Sequence, residues 1–221
     1  MQRVKQLLQS PKPVKWLFHG DSITHGALHT FGFRDYSELF SERIRYEMNR
    51  KGDIVIKSAF SGNTTLDLLG DFDWRVGSLQ PNVVFLMIGM NDCSAGRKIP
   101  REEFRGNLET LCRKIMDLNG AVTVLQTTCP IIPGRSADRE PNFDSYMDAV
   151  REVAAAQRLP LIDHTRYWRN VFAEKGAGLH QYWMSDAFHP NNFGHQVFAE
   201  FVFKELGIFD PDSFCCRLFR P

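Results

Sequence analysis

Three separated segments carry side chains able to perform acyl transfer: G-D-S-I-T at 20–24, G-M-N-D at 89–92 and D-A-F-H-P at 186–190. The first offers a hydroxyl nucleophile in Ser22. The second offers an amide, Asn91, for a developing oxyanion, and the third an imidazole, His189, with a carboxylate at Asp186. Their three-residue separation lets one turn place Asp186 against one imidazole nitrogen while the other faces Ser22. His189 would then remove the Ser22 proton during attack and deliver it to the departing alcohol, with Asp186 selecting the tautomer and stabilising the imidazolium. The backbone amides of Ser22 and Gly62 and the side-chain amide of Asn91 are the expected oxyanion donors. Gly62 has no side chain to obstruct close approach, and Asn91 presents an NH2 that an ionised Asp lacks.

Each segment alone is weak, since serine after a strand is commonly a cap or turn former and S-G-N and G-M-N-D are ordinary turn compositions. Their weight depends on elements that bring them together. Apolar runs predict strands at 14–19, 53–60, 83–88, 121–127 and 159–163. Between them, Tyr36, Leu39, Phe40, Ile44 and Met48 share one helical face, as do Phe104, Leu108, Leu111, Cys112, Ile115 and Leu118. The crossover at 65–78 carries Gly70 and predicts an interrupted helix; further helices are expected at 145–157 and 197–206. Alternating strands and helices predict an α/β fold, a three-layer α/β/α sandwich on a mostly parallel five-stranded sheet. Ligand sites in such sheets collect at the carboxyl ends of the strands, where 19–24, 61–64 and 89–92 fall.

Asp21 and Asp92 read as turn-fixing acceptors. His19, His25, His164 and His195 lack a metal spacing, no carboxylate grouping resembles a paired-metal site, and the serine chemistry requires no cofactor. Cys129 in T-T-C-P reads as a packed thiol, and the five cysteines lack a zinc pattern. Trp183, Met184 and Phe188 accompany the acid/base pair and are expected to form an apolar rim. Met90 is expected to narrow the acyl side, which favours a short acyl group, and Phe60 to line the substrate groove. The irregular stretch 128–142 has two readings, an active-site rim and an exposed connection.

The 221 residues, 43% apolar and 24% charged, fit one domain over 1–221. A docking helix is expected at 2–10. The tail at 210–221 either folds back through Phe214, Leu218 and Phe219 or offers a homodimer contact. A net charge of +1 provides no field for a polyanion, which argues against nucleic acid as a partner. No run is long enough for a membrane span or a signal-peptide core, so the chain reads as cytoplasmic, with a trimmed export signal as the alternative.

G-D-S-I-T, the glycine of S-G-N-T-T, the asparagine of G-M-N-D, and D-A-F-H-P resemble, in order, four blocks of the SGNH hydrolase superfamily, also called the GDSL esterase/lipase family. The resemblance spans nearly the whole chain. It implies a flavodoxin-like α/β/α domain, Ser22 as nucleophile, Asp186 and His189 as acid and base, and Ser22, Gly62 and Asn91 as the oxyanion site. The expected activity is a metal-independent carboxylic ester hydrolase acting through an acyl-enzyme on a small-molecule ester, with O-acetylated carbohydrate as the favoured substrate. A thioesterase or lysophospholipase and a non-enzymatic carbohydrate-binding protein are the alternatives.

Overall fold

The computed structural model describes residues 1–217. Five strands, β1 (Lys15–Gly20), β2 (Ile54–Lys57), β3 (Val83–Met87), β4 (Val122–Gln126) and β5 (Leu161–Ile162), form one parallel sheet in the order β2-β1-β3-β4-β5. Every residue of β3 and β4 is buried. Burial of both strand faces explains why these strands read as continuous apolar runs instead of alternating ones.

The helices are α1 (Gln2–Gln9), α2 (Ser22–His25), α3 (Tyr36–Glu42), α4 (Thr65–Gly70), α5 (Phe72–Arg75), α6 (Arg101–Met116), α7 (Glu140–Ala156), α8 (His164–Lys175), α9 (Gly178–Tyr182) and α10 (Asn192–Leu206). Helix α3 runs on into a π-helical turn at Arg43–Glu47. On one sheet face, Phe40 of α3 meets Trp16, Phe18 and Phe85 edge-on, with ring centroids 5.4, 5.2 and 5.4 Å away. Phe198 of α10 joins this layer against Tyr36 and Trp168. Such pairs add about 0.5–1.5 kcal/mol each beyond their buried area. The opposite layer is built from α4, α6 and α7, where Phe104 packs against Tyr146.

Several boundaries differ from expectation for local reasons. The crossover at 65–78 breaks at Asp71 into α4 and α5, as its glycine-containing pattern predicts. Helix α7 starts at Glu140, inside the stretch expected to be irregular, because Pro141 lies in its first turn, where a missing N–H costs nothing. The sequence pattern predicts no element over 164–182, yet α8 begins behind an Asp163 cap that accepts from Arg166 N, and it buries Trp168. The docking helix forms as α1, with Val4 and Leu8 buried. The tail does not fold back through Phe214, which is 87% exposed; Ser213, Cys215 and Cys216 are the buried residues in its described part. Leu218 and Phe219 lie outside the described residues. Among the described residues, no helix is long and apolar enough to cross a membrane.

The tightest constraint is at the end of β1. Gly20 has φ +153°, and a Cβ there would lie 1.9 Å from the Met87 carbonyl oxygen of β3. Gly20→Ala must therefore push two central strands apart. We expect a loss of about 3 kcal/mol or more, seen in a thermal melt as a Tm lower by roughly 6–12 °C for a domain of this size; an unchanged Tm would refute the constraint.

Candidate active site

Three chain reversals emerge together at the carboxyl edge of the sheet. After β1, Asp21 caps α2 by accepting from Ile23 N at 2.9 Å, which sets Ser22 in the first helical position. After β2, the chain is held to β1 by Ser58 N donating to Phe18 O and Phe60 N donating to Gly20 O. It then turns at Gly62, whose φ of +87° favours glycine. After β3, Asp92 Oδ1 accepts from Thr65 N and Thr65 Oγ1 at 2.8 and 2.6 Å, tying G-M-N-D to the start of α4. The turn-fixing roles expected of Asp21 and Asp92 are the ones their contacts describe.

Asn91 links the second and third reversals, its Nδ2 donating to Asn63 O at 3.0 Å. That NH2 group carries a second hydrogen. Arg97 Nη2 donates to Gly62 O at 3.2 Å, and His25 Nδ1 lies 3.0 Å from Ser61 Oγ, so the S-G-N turn is held from both sides.

Asp186 and His189 sit in a loop closed by an antiparallel bridge between Met184 and Pro190. Asp186 Oδ1 accepts from Phe188 N and His189 N at 2.9 and 2.8 Å, while its Oδ2 lies 2.7 Å from His189 Nδ1. One carboxylate thus folds its own turn and orients the imidazole. His189 Nε2 lies 2.8 Å from Ser22 Oγ. With the proton on Nδ1, Nε2 accepts from the hydroxyl, the arrangement a general base needs.

Burial of His189 pushes its pKa below 6.5, and the Asp186 carboxylate, which raises it, does not cancel that effect. Desolvation raises the Asp186 pKa, but hydrogen bonds from Phe188 and His189 outweigh it and leave the group below the usual carboxylate range. The pair therefore holds a neutral imidazole beside an ionised carboxylate at neutral pH.

The loop is seated by α10. A Cβ on Gly194 would lie 2.4 Å from Trp183 O and 2.6 Å from Pro190 Cβ, so only glycine permits this approach. Asn191 caps α10 through Phe193 N and Gly194 N, and its Nδ2 donates to Tyr182 O. From the other side, residues 128–139 act as a strut. Cys129 Sγ donates to Phe188 O, Ile132 N donates to Ala187 O, and the Arg139 guanidinium lies 4.3 Å from the Phe188 ring centre. Asp138 joins the strut to the third reversal through Ser94 Oγ and Ala95 N. Residues 128–131 are buried and 133–135 exposed, and the stretch touches the loop carrying Asp186 and His189, so it is more than an exposed connection.

Met184, 7% exposed like Ser22, lines a cavity with Asp186. Met90, expected to narrow the acyl side, is fully buried, and Trp183, expected at the rim, is 4% exposed. Trp183 instead packs edge-on against Trp168, 5.2 Å away, because the Gly194 contact draws it into the α8–α10 layer. Phe188 stays beside His189, and Phe60 is 49% exposed, stacked on His25. Cys129 is fully buried, and burial pushes its thiol pKa well above the ordinary value, in keeping with packing. His19, His164 and His195 lie within hydrogen-bond distance of Ser58 Oγ, Gln126 Oε1 and Tyr36 N, respectively. A cavity of about 500 Å³ behind the strut is lined by Ile132, Phe143, Phe172 and His180 and does not include Ser22.

Sequence reasoning passed over His29, whose ring lies flat on His189 with centroids 3.6 Å apart and planes 6° from parallel. Its only signal was its position in a glycine-flanked loop soon after Ser22. His29, Asp186 and His189 offer ligand atoms within 4.8 Å of one another. Parallel stacked rings, however, direct their in-plane lone pairs side by side rather than towards a common point, which disfavours a chelate.

Residues 18–197 match the model of the GDSL-like Lipase/Acylhydrolase family, and the chain belongs to that family. It is 24% identical over 209 residues to an acetylxylan esterase from Geobacillus stearothermophilus, covering 87% of this chain and 94% of that one. It is 26% identical over 172 residues to an uncharacterized lipoprotein, YqeF, of Bacillus subtilis (strain 168), covering 67% and 70%. The crystal structure of the acetylxylan esterase superposes with a TM-score of 0.74 at 24% identity, over 88% of this chain and 94% of that one. An alpha/beta hydrolase enzyme from the metagenome of Lake Arreo, Spain, gives 0.75 at 24% identity, over 90% and 99%. These structural likenesses show the shared fold.

Burial raises the Asp21 pKa from 3.8 to about 7 and the Asp92 pKa to about 6. A folded value above the unfolded one means that the native state holds the extra proton, so each group subtracts stability as pH rises from about 4 towards its folded value. Asp21→Asn removes one such group. We expect its Tm relative to wild type to rise between pH 4 and pH 8; a pH-independent difference would refute this account.

Proposed function

We propose that this chain is a serine-dependent carboxylic ester hydrolase that works through an acyl-enzyme on Ser22. The observation that carries the reading is the continuous relay of Ser22 Oγ to His189 Nε2 at 2.8 Å and His189 Nδ1 to Asp186 Oδ2 at 2.7 Å. Ser22 attacks the ester carbonyl as its proton passes to His189 Nε2. The C–O bond then breaks, and that proton leaves with the alcohol. Water repeats the sequence to release the acid. Ser22 N, Gly62 N and Asn91 Nδ2 are the proposed oxyanion donors; in support, Asn91 is held by Asn63 and Gly62 by Arg97.

The proposed substrate is a short-chain, O-acetyl ester of a carbohydrate. Support comes from the acetylxylan esterase of Geobacillus stearothermophilus, which aligns over most of this chain and whose catalytic mutants replace a serine, an aspartate and a histidine. A multidomain esterase of Ruminococcus flavefaciens is 23% identical over 220 residues, with 28% of its length covered. A longer-acyl reading draws support from Leu28, Phe31 and Phe33, exposed in the loop that carries His29. We further propose one hydrolase domain over 1–221 and a reducing, cytoplasmic setting, the latter supported by five free cysteines. Exposed Phe214 supports contact of the tail with a second copy.

A matched series of acyl esters, read by product release and intact mass, tests the reading. Wild type is expected to turn over acetyl esters best and to gain a transient acyl mass that Ser22→Ala lacks. Rising rates through octanoyl would favour the longer-acyl reading, and Ser22-independent turnover would end the proposal. Asn91→Ala should lower kcat by about 100- to 1,000-fold with the fold intact. Because the lowered His189 pKa keeps the base neutral below pH 6.5, the acid limb of kcat/KM should have its midpoint below 6.5. A midpoint above 6.5 would show that the Asp186 carboxylate outweighs burial in setting the His189 pKa.

A further inference from the structure

We infer that His29 is a positioning residue for the acid/base pair: its ring face, laid on His189, fixes the plane that carries Nε2 to Ser22 and stabilises the imidazolium formed there during acyl transfer. This deepens the hydrolase reading and rests on it. The two rings are stacked at 3.6 Å and 6°. Polar contacts do not account for the stack. His29 Nδ1 is buried without a hydrogen-bond partner, and His29 Nε2 is 3.7 Å from Asp186 Oδ2, beyond hydrogen-bond range. What His29 presents to the relay is its π-face.

The loop at 26–34 is shaped to make this contact. Gly26 ends α2 in the left-handed region at φ +65°, and Thr30 Oγ1 donates back to Gly26 O at 3.1 Å. Phe31 adopts φ +54°, a conformation that bulky residues rarely take. Leu28, Phe31 and Phe33 are left 76%, 69% and 64% exposed, while the His29 side chain is only 21% exposed. Hydrophobic burial alone would turn the apolar side chains inward and leave the imidazole in water. The loop does the reverse.

A face-on ring next to His189 does two things for proton transfer. It blocks rotation of the imidazole out of the plane defined by Asp186 and Ser22, and a misplacement of about 1 Å at such a centre can cost 100-fold in rate. It also lays π-density against the ring that becomes cationic when the Ser22 proton arrives, an interaction absent while His189 is neutral. Desolvation, together with the proximity of His189, lowers the His29 pKa, which keeps the stacking partner neutral.

His29→Ala and His29→Phe separate the ring face from the nitrogens. On an acetyl ester, His29→Ala is expected to lower kcat by roughly 10- to 100-fold with KM changed less than about twofold, and His29→Phe to recover most of that loss. In parallel, the His189 Nδ1 proton shared with Asp186 should give a slowly exchanging NMR resonance in wild type and His29→Phe that is lost in His29→Ala. The proposal is overturned if His29→Ala retains wild-type kcat and the resonance, or if His29→Phe is as impaired as His29→Ala. Absence of Ser22-dependent turnover in wild type would instead reject the hydrolase reading. The NMR comparison would then decide the positioning role alone, and loss or survival of the resonance in His29→Ala would support or reject it.

Discussion

The lack of room for a side chain at Gly20, against the Met87 carbonyl, is the constraint from which the site follows. With no Cβ on Gly20, β1 and β3 stay in register to their last residues, Gly20 opposite Met87. The reversals carrying Ser22 and Asn91 therefore leave adjacent strands at the same height. A larger residue would not merely strain one backbone unit; it would separate Ser22 from the segment carrying Asn91. The Gly20 carbonyl then accepts from Phe60 N, which brings the Gly62 turn to the same edge. A parallel sheet makes this economical in chain length, since all its carboxyl ends face one way.

Polar contacts hold these reversals more specifically than apolar packing can, at an electrostatic cost. Asp21 and Asp92 are almost wholly buried, and desolvation raises the pKa of both. Each offsets part of that penalty with hydrogen bonds, from Ile23 N at Asp21 and from Thr65 at Asp92. The pairs Arg105–Glu102 and Arg217–Asp212 lie in solvent, where an ion pair contributes at most about 1 kcal/mol. Stability is thus drawn from the aromatic layers around Phe40 and Phe198. Part of it is spent on buried carboxylates that hold the site.

The sheet was legible because buried parallel strands leave short apolar runs, and Val83–Met87 and Val122–Gln126 fall inside the predicted spans. The relay was legible because Asp186 and His189 are three residues apart, a separation a single turn resolves. The rim was not. Sequence proximity to His189 places Trp183 in the crevice, whereas its direction is set by Gly194 and Trp168, contacts with no local signature. Met90 failed similarly: adjacency to Asn91 carries no information about which way a turn residue points. His29 was invisible for a third reason, since its partner lies far along the chain and stacking imposes no spacing or periodicity. Helix α8 shows the opposite case, a missed element whose Asp163 cap and apolar Tyr167, Trp168, Val171 and Phe172 were all present to be read.

The loop carrying Asp186 and His189 is built at two ranges, and the division explains how a half-exposed carboxylate can hold the imidazole in one orientation. Asp186 is 44% exposed at its side chain, a setting in which a lone ion pair would contribute little. Its Oδ1 is occupied by two backbone N–H groups from its own turn, which turns Oδ2 towards His189 Nδ1. Orientation within the pair is therefore local and resists solvent. Distance to Ser22 is not local. It depends on Gly194 seating Trp183 and Pro190, on Ile132 and Cys129 holding the far side, and on His29 closing over the ring. Changes in the turn would disturb the tautomer of His189, while changes in the supports would move the intact pair as a unit away from Ser22.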